Sequence, residues 1–434
     1  MSSIREKVIN DLRPKPFTKL AKMWIGLLLT VCAIGVYAYI RQLQDGLVIT
    51  GLRDYTTWGI YIANFVFFVA VSLVGSLITA VLKLSGVSWR TPLTRISEII
   101  ALAAILMAGL AIVVDMGRPD RMLNVIFHAR MQSPITWDVM VITTYMALSF
   151  LLLFLPLIPD IAIYRKDDKL PKWLLKIYNF FSLNWTGSSA QKSLLKQSVY
   201  ILAVMIIPVA IGMRTVSSLL FTTTTKPGWD STNLGPYFVA GAFVVGLGTF
   251  IIVMSACRKF LHQGEYFTDK HFDYVSKLMV FLLLVYLFFN INEYFSPAYK
   301  MKSNEADHLN ELFFGSNALM FWLVQIGGLV IPLIVLMFKK GRKPYVAFAV
   351  SVLIVIGAWF KWYLIIVPAL SHPAIPIDRA PYEWVNYIPT WQEWAITAAT
   401  LAGMLLIVTY LLRLFPIVPV AEYIDEQEKK MRKS

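Results

Sequence analysis

The chain is poor in the residues that hold redox cofactors. Its 434 residues include only two cysteines, Cys32 and Cys257, and five histidines. Two cysteines far apart in the sequence can build neither a disulfide framework nor a cysteine-ligated iron–sulfur cluster. The histidines all fall in or beside predicted loops, where no facing pair could ligate haem within the membrane: His128, His262, His271, His308 and His372. We therefore expect neither haem nor an iron–sulfur cluster in this chain.

The sequence also lacks the short motifs of several enzyme and binding classes. We find no phosphate-binding glycine loop, no metal-ligand spacing and no serine nucleophile motif. The formal net charge of +14 is accompanied by no basic groove or recognition module, so we expect no nucleic acid partner and no metal site. Basic segments that face anionic lipid account for the charge.

Charged residues are scarce, whereas long apolar runs are abundant. Hydrophobic residues make up 57% of the chain and charged residues 15%. The apolar runs approach the ~20 residues that cross a bilayer, which predicts an all-α membrane protein with ten transmembrane helices. Short connections favour one integral membrane domain, 1–434. The helices are predicted to begin near the following residues: Met23, Trp58, Ile96, Thr136, Ser198, Pro236, Lys277, Asn317, Tyr345 and Trp391.

A weak similarity between the second and sixth predicted helices indicates an internal repeat. Both run inward and both open with a similar pattern of aromatic, apolar and small residues. We therefore expect two four-helix bundles, 58–220 and 236–368, flanked by the first helix and by a last helix at 391–413.

The distribution of basic residues predicts the orientation. If the N-terminus is cytoplasmic, 29 of the 40 Lys and Arg residues lie in cytoplasmic flanks and 9 lie outside, as the positive-inside rule requires. Segment 1–19 is then a cytoplasmic leader rather than a cleaved signal, and 414–434 is a cytoplasmic tail.

Two connecting segments have a distinct character. The loop 164–196 carries an apolar stripe at helical spacing, which predicts an interfacial amphipathic helix; the alternative is a solvated loop. Its stripe consists of Leu170, Trp173, Leu174, Ile177 and Phe181. The stretch 371–394 is rich in aromatic residues, which form either an interfacial belt or a docking surface for an extracytoplasmic partner: Trp384, Tyr387, Trp391 and Trp394.

Polar residues inside the predicted helices gather near the outer boundary. The segment 114–139 joins two helices and carries Asp115 and Asp138 at their inner edges. Carboxylates are expensive at a membrane boundary, so two that face each other suggest a site for chemistry. Side chains on neighbouring turns are predicted to share faces near this depth: Trp58, Tyr61 and Asn64 on the second helix, Tyr145 with Asp138 on the fourth, and Tyr286, Asn290 and Glu293 on the seventh.

Two further charged residues within helices have competing interpretations. Arg214 remains charged and needs partners, for which Asp115, Asp138 and Glu293 are candidates. It either forms a structural ion pair or tunes a carboxylate for proton exchange. Glu98, one turn from Arg95, is either a paired boundary carboxylate or a proton entry point. It lies ~25 Å from Asp115 along the helix, so the two belong to opposite ends of any path.

These segments closely resemble the NrfD/PsrC family of quinone-interacting membrane subunits. The resemblance is carried by VDMGRPDR followed by SPITWD, by WGIYIANFVFFV and RTPLTRISE upstream, and by PGWDSTNLGPYFVAGA and YLFFNINEYFSPAY downstream. It covers roughly residues 20 to 415. Ten helices make the chain similar to the longer branch, which includes the alternative complex III, quinone reductase complex and hydrogenase-type anchors. Asp115 stands where several complex III members have His, which weakens any transfer of their proton path.

The resemblance implies a membrane subunit that binds menaquinone or ubiquinone and contains no redox centre of its own. Its partners would be an extracytoplasmic iron–sulfur subunit, joined to molybdopterin-type or cytochrome c subunits, in a bacterial or archaeal inner membrane. The expected quinone ligands are Trp58, Tyr61, Asn64, Asp115, Asp138 and Tyr145, with Asp115 and Asp138 as the reacting acids. Glu98, Arg214 and Glu293 are the expected proton path, and whether protons cross the membrane is left open.

A transporter is the alternative function. Arg214, Lys361 and Glu293 are charged residues within or beside predicted helices, and such residues could bind an anion or couple solute movement to protons.

Overall fold

Ten helices long and apolar enough to cross a membrane occur in the residues that the computed structural model describes, 2–224, 226–372 and 386–433. We number them spans 1 to 10 in chain order. They are Lys19–Asp45, Ile60–Leu84, Thr91–Asp115, Pro134–Tyr164, Ser189–Thr222, Leu234–Phe260, Asp269–Lys300, Ala318–Met337, Pro344–Leu370 and Trp391–Leu414. The predicted all-α class and the ten spans are confirmed. Span 5 begins earlier than its apolar run, at Ser189, because polar turns capped by Ser188 extend the helix.

Two spans depart from regular α-helical geometry. Span 2 contains a π-helical segment, Ser76–Val81, and span 8 contains a longer one, Leu323–Val330. Such segments are rare and frequently mark functional sites. Several helices also contain internal prolines, including Pro208 in span 5 and Pro297 in span 7, which membrane helices tolerate because neighbouring groups bond the freed carbonyls.

The spans pack as two rings and one pair. Spans 2, 3, 4 and 5 each contact the next, and span 5 returns to span 2. Spans 6, 7, 8 and 9 do the same, and span 6 also packs against spans 2 and 5. Spans 1 and 10 pair with each other, and span 10 also contacts span 3. We interpret the rings as the two four-helix bundles, 58–220 and 236–368.

Alternating directions bring equivalent loops to the same end of the bundle. We call the two ends the Asp115 end and the Glu98 end, after the residues at opposite ends of span 3. The predicted amphipathic helix is present at the Glu98 end, as Lys172–Phe181. Leu174 and Tyr178 face inward, while Trp173 and Phe180 are exposed. The short helix Ser2–Asp11 packs there against the C-terminal helix Val420–Lys433.

A buried ionic cluster ties the C-terminal helix to the spans. Arg95 on span 3 contacts Asp160 on span 4, with 2.9 Å between Nη2 and Oδ2, and both side chains are fully buried. Asp160 also accepts a hydrogen bond of 2.9 Å from the backbone N–H of Ala421 at the start of the C-terminal helix. Glu98 lies 3.9 Å from Arg95 and is also buried. Pairing with Arg95 was one of two interpretations of Glu98 from the sequence, whereas Asp160, which lies closer to Arg95, was not predicted.

Removing the Asp160 charge should destabilise the fold. In Asp160→Asn, the amide still accepts the Ala421 N–H, but the buried Arg95 guanidinium loses its nearest carboxylate. Breaking such a buried pair costs about 3–5 kcal/mol. Thermal denaturation in detergent should show a clearly lower midpoint. Lys7→Ala, which removes an exposed pair with Glu265, is the control and should leave the midpoint unchanged; equal midpoints for both variants would contradict the assignment.

Candidate functional site

The polar residues at the Asp115 end form three separate clusters rather than one. The Asp115 cluster lies between spans 1, 2, 3, 9 and 10. The Arg214 cluster lies inside the ring of spans 2 to 5, where that ring meets span 6. The Lys361 cluster lies inside the ring of spans 6 to 9.

The Asp115 cluster is built around a carboxylate with a free acceptor. Asp115 is the last residue of span 3, and its Oδ1 is buried with no hydrogen-bond partner in the described part of the chain. The preceding carbonyl, of Val114, accepts a hydrogen bond of 2.7 Å from Gln42 Nε2. Gln42 Oε1 in turn accepts one of 2.7 Å from the hydroxyl of Tyr61. Gln42 therefore links spans 1, 2 and 3 and orients the phenol beside the free carboxylate.

Asn64 is held in the same cluster from two sides. Its Nδ2 donates to Thr397 Oγ1 at 2.8 Å, and its Oδ1 accepts from Trp359 Nε1 at 2.7 Å. The indole of Trp359 stacks at 6.4 Å against Tyr363. We call the stacked rings of Trp359 and Tyr363 the aromatic wall of span 9. Asn64 holds this wall in place against spans 2 and 10.

Glu393 closes the cluster toward span 10. The carboxylate is fully buried and caps the first turn of span 10, accepting from Thr390 N at 2.9 Å. It also accepts from Gly51 N at 2.8 Å and from the Tyr387 hydroxyl at 2.5 Å. Burial, together with this carboxylate, raises the pKa of Tyr387 well above its usual value. Glu393 thus uses its oxygens on local donors, whereas Asp115 Oδ1 has no partner among the described residues.

The Arg214 cluster satisfies its charge in an unusual way. Arg214 is fully buried and donates to the backbone carbonyls of Phe238 and Val66, both at 3.3 Å. Its guanidinium lies 4.8 Å from the ring centre of Phe238 and 5.0 Å from that of Trp362. Asp138 is the carboxylate within its electrostatic reach, but Asp138 accepts its hydrogen bond from Ser217, at 2.7 Å.

The structure corrects two predictions about how these residues come together. Asp115 and Asp138 do not face each other, since Asp138 bonds to span 5 whereas Asp115 lies within electrostatic reach of Glu393. Of the three candidate partners of Arg214, Asp138 is the one that acts on it electrostatically. The prediction failed because the two acids project from different helices toward different neighbours, which spacing along one loop cannot show.

The second correction concerns Trp58. Span 2 begins at Ile60, so Trp58 precedes the helix and does not share a face with Tyr61 and Asn64. Its ring stacks on Trp229 at 5.7 Å and meets Phe221 edge-on at 5.4 Å. Tyr145, also predicted at the site, lies deeper and donates to the carbonyl of Ser72 at 2.6 Å.

Three residues of the site were not singled out from the sequence. Gln42 is a polar residue in the last turns of an apolar helix, and that position was a usable signal. Glu393 belongs to a Thr-x-x-Glu capping box at the start of span 10. Helix capping alone accounts for a glutamate at this position, so nothing in the sequence assigned it to a site. Trp359 gave no signal, since tryptophan is common in membrane helices. Trp384 of the predicted aromatic belt lies outside the described residues.

Comparison with known proteins identifies the family. The model for the family described as "Polysulphide reductase, NrfD" matches residues 49–374. The chain belongs to the NrfD family. The predicted resemblance is confirmed, and the matched region contains spans 2 to 9 with Tyr61, Asn64 and Asp115.

NrfD relatives similar to this chain are described as subunits of reductases. A putative membrane subunit of dimethyl sulfoxide reductase from Halobacterium salinarum is 28% identical over 92% of both chains. The integral membrane subunit of menaquinone reductase from Nitratidesulfovibrio vulgaris is 24% identical, again over 92% of each. A selenate reductase subunit from Mesobacillus selenatarsenatis is 22% identical over 92% of this chain and 95% of its own. Subunit names of this kind imply that each relative assembles with catalytic partner subunits.

The packing of Tyr387 against span 2 can be tested with one methyl group. A Cβ at Gly59 would lie 2.3 Å from the Tyr387 ring, so Gly59→Ala must displace this ring and its bonds to Glu393 and Ile60. Overpacking of this kind costs about 1–3 kcal/mol. We expect a lower midpoint of thermal unfolding in detergent.

The matched control for Gly59→Ala is Gly26→Ala. No atom lies within 4 Å of a Cβ at Gly26, and alanine favours the helix by up to about 1 kcal/mol. The control should therefore unfold at the same or a slightly higher temperature. A Gly59→Ala variant as stable as this control would show that Tyr387 does not pack as described.

Proposed function

We propose that this chain is the quinone-binding membrane subunit of a multi-subunit respiratory oxidoreductase, exchanging electrons with an extracytoplasmic iron–sulfur partner. Family membership and the names of the relatives support the coarse role. The observation that carries the quinone assignment is the buried Asp115 Oδ1, which has no partner among the described residues and lies within electrostatic reach of the oriented Tyr61 hydroxyl.

The residues at Asp115 suit a quinone headgroup. A quinone carries two electrons together with two protons, so its ring oxygens need hydrogen-bond partners and a proton acceptor. Asp115 supplies a free carboxylate. The Tyr61 proton is committed to Gln42, which leaves the phenol oxygen as an acceptor for a hydroxyl group. The aromatic wall of Trp359 and Tyr363 offers an apolar surface for a flat ring.

The other predicted ligands act around this core in the proposal. Asn64 positions Trp359, and Tyr145 and Trp58 support the helices that meet at the site. Asp138, held by Ser217, is a second acid that can exchange protons within the electrostatic reach of Arg214. Glu98, buried beside Arg95 with neither oxygen hydrogen-bonded to a described residue, is proposed as the entry for protons at the opposite end.

The proposed setting is a bacterial or archaeal inner membrane with both termini cytoplasmic. The Glu98 end then faces the cytoplasm, in agreement with the excess of basic residues in its loops. The Asp115 end faces outward, toward an iron–sulfur subunit and its molybdopterin-type or cytochrome c partners. The alternative of a secondary transporter gains no support from the relatives, which are named as reductase subunits.

Loss of the Asp115 carboxylate should abolish quinone chemistry without loss of assembly. In the assembled complex, Asp115→Asn keeps the side-chain shape but removes the proton acceptor, and general acid–base groups contribute about 10²–10⁴-fold. We expect quinone-linked turnover to fall by at least about 10²-fold. Tyr61→Phe removes one hydrogen bond of about 0.5–1.5 kcal/mol, so a fall of roughly 3- to 10-fold is expected.

The control for both variants is Asp120→Asn. Asp120 is exposed in the loop that follows span 3, so this variant should retain wild-type turnover. Copurification of the partner subunits reports assembly. Wild-type quinone kinetics in both Asp115→Asn and Tyr61→Phe would remove these residues from the site and with them the quinone assignment.

A further inference from the structure

A hydrogen-bonded network crosses the ring of spans 6 to 9, away from the Asp115 cluster. The Tyr286 hydroxyl donates to that of Tyr237 at 3.2 Å, and Tyr237 donates to Asn290 Oδ1 at 2.7 Å. Asn290 Nδ2 then donates to Gln325 Oε1 at 2.8 Å. The Tyr237 and Tyr286 rings stack at 5.0 Å. Four polar side chains from three helices are thus aligned in an apolar environment, where such groups are retained for a function.

Lys361 is the charged member of this region. It is 2% exposed, and its ammonium donates to the hydroxyl of Tyr294. The ammonium lies 4.4 Å from the ring centre of Tyr294 and 5.8 Å from that of Phe321. In the described part of the chain no carboxylate approaches it within 4.0 Å, although Glu293 acts on it electrostatically. Lys361 is thus a buried charge whose direct polar contact is a hydroxyl group rather than a carboxylate.

A small cavity connects Lys361 with the network. Its volume is about 20 Å³, which is room for about one water molecule. Its wall includes Tyr286, Asn290, Gln325 and Lys361. Gln325 Nε2 is buried there and has no hydrogen-bond partner in the part of the chain that the structure describes. The π-helical segment Leu323–Val330 forms one side. A water at this position would give Gln325 its missing acceptor and would lie beside the ammonium.

A second cavity of about 20 Å³ continues from Tyr294 toward the surface. Glu293, Glu305 and His308 line it together with Tyr294. Glu305 Oε2 and His308 Nδ1 are both buried without partners among the described residues. The pKa of His308 is lowered to about 4, first by burial and then by the charges of His372 and Lys361. His308 is therefore neutral at neutral pH and would hold a proton only transiently. Lys302, which is exposed, lies 3.6 Å from Glu305 at the rim.

The two faces of span 9 keep this region apart from the Asp115 cluster. Trp359 bonds to Asn64 on span 2, whereas Lys361, two residues later, contacts Tyr294 on span 7. Residues two apart point in nearly opposite directions on a helix. Span 9 therefore lies between the Asp115 cluster and the Lys361 cluster and contributes a side chain to each.

We propose that Lys361, Tyr294, Glu293, Glu305 and His308 form a proton route from the interior of the second ring to the Asp115 end, separate from the quinone cluster. The ligand is a proton carried by these groups and by water. The proposal rests on the proposed function, because quinone turnover would supply the driving reaction. A proton leaves the Lys361 ammonium through Tyr294 or the cavity water, is received by Glu293, and passes through Glu305 and His308 to the outer water. Only N–H and O–H bonds form and break.

The assembled complex in proteoliposomes tests this route. Two quantities are measured: quinone-linked turnover with an uncoupler present, and protons moved across the membrane per electron without it. Lys361→Met should keep at least half of the uncoupled turnover and lower the proton ratio at least twofold. Tyr294→Phe removes only a hydroxyl and should lower the ratio in the same direction, which covers the case in which Lys361→Met fails to assemble. Lys361→Arg retains a charge but releases its proton poorly, so it should resemble Lys361→Met.

The matched variant on the other face of span 9 is Trp359→Phe, which should slow turnover and leave the proton ratio unchanged. An unchanged ratio in both Lys361→Met and Tyr294→Phe would overturn the route. Loss of uncoupled turnover in both would also overturn it, because the residues would then belong to the redox site. If the quinone assignment itself is wrong, the quinone kinetics of Asp115→Asn and Tyr61→Phe will be unchanged. The two failures can therefore be distinguished.

Discussion

The apolar interior of the bundle is the constraint on which the rest of this structure depends. Each buried charge must find partners within the protein, and four charges do so differently. Arg95 pairs with a carboxylate, and Glu393 caps a helix. Arg214 is held by backbone carbonyls and aromatic faces. In the part of the chain that the structure describes, Lys361 contacts a tyrosine hydroxyl and aromatic rings and has no carboxylate within 4.0 Å. Glu393 is well bonded, whereas Arg95 and Arg214 are bonded in part, since Arg95 Nε and Nη1 and Arg214 Nη2 have no hydrogen-bond partner among the described residues. We expect chemistry at Lys361, because of its missing counter-ion, and at Asp115, because its buried Oδ1 has no partner there either.

The two acids at the Asp115 end differ in their hydrogen bonds. Glu393 and Asp115 are both acids at the same end of the bundle, within electrostatic reach of each other. Glu393 accepts bonds from Gly51, Thr390 and Tyr387, and this network joins the loop after span 1 to span 10. Asp115 keeps a free oxygen although its neighbour Val114 is tied to Gln42. The scaffold thus fixes the backbone of Asp115 while leaving its carboxylate available.

The sequence predicted the fold closely because a membrane-spanning helix can be recognised from one continuous apolar run of residues. Long apolar runs gave all ten spans, and the apolar stripe after span 4 gave the amphipathic helix. The site was predicted only in part. Asp115, Tyr61 and Asn64 do gather, because their helices meet. Trp58 does not join them, because the spacing of the residues could not show that span 2 begins only at Ile60. Gln42 and Glu393 belong to the first and last spans, and their approach depends on tertiary packing that no local pattern encodes.

Span 9 shows why the two sites can coexist without interfering. Its Trp359 face completes the aromatic wall near Asp115, and its Lys361 face completes the network of spans 6 to 8. Close packing of Gly357 against Gly328 leaves no room for a side chain between spans 8 and 9, so the wall cannot shift far without breaking this contact. In the proposed function, a rigid helix with Trp359 on one face and Lys361 on the other would let electrons and protons use different sides of one element. Coupling between them then requires a change in charge rather than a large movement, since both faces belong to the same rigid body.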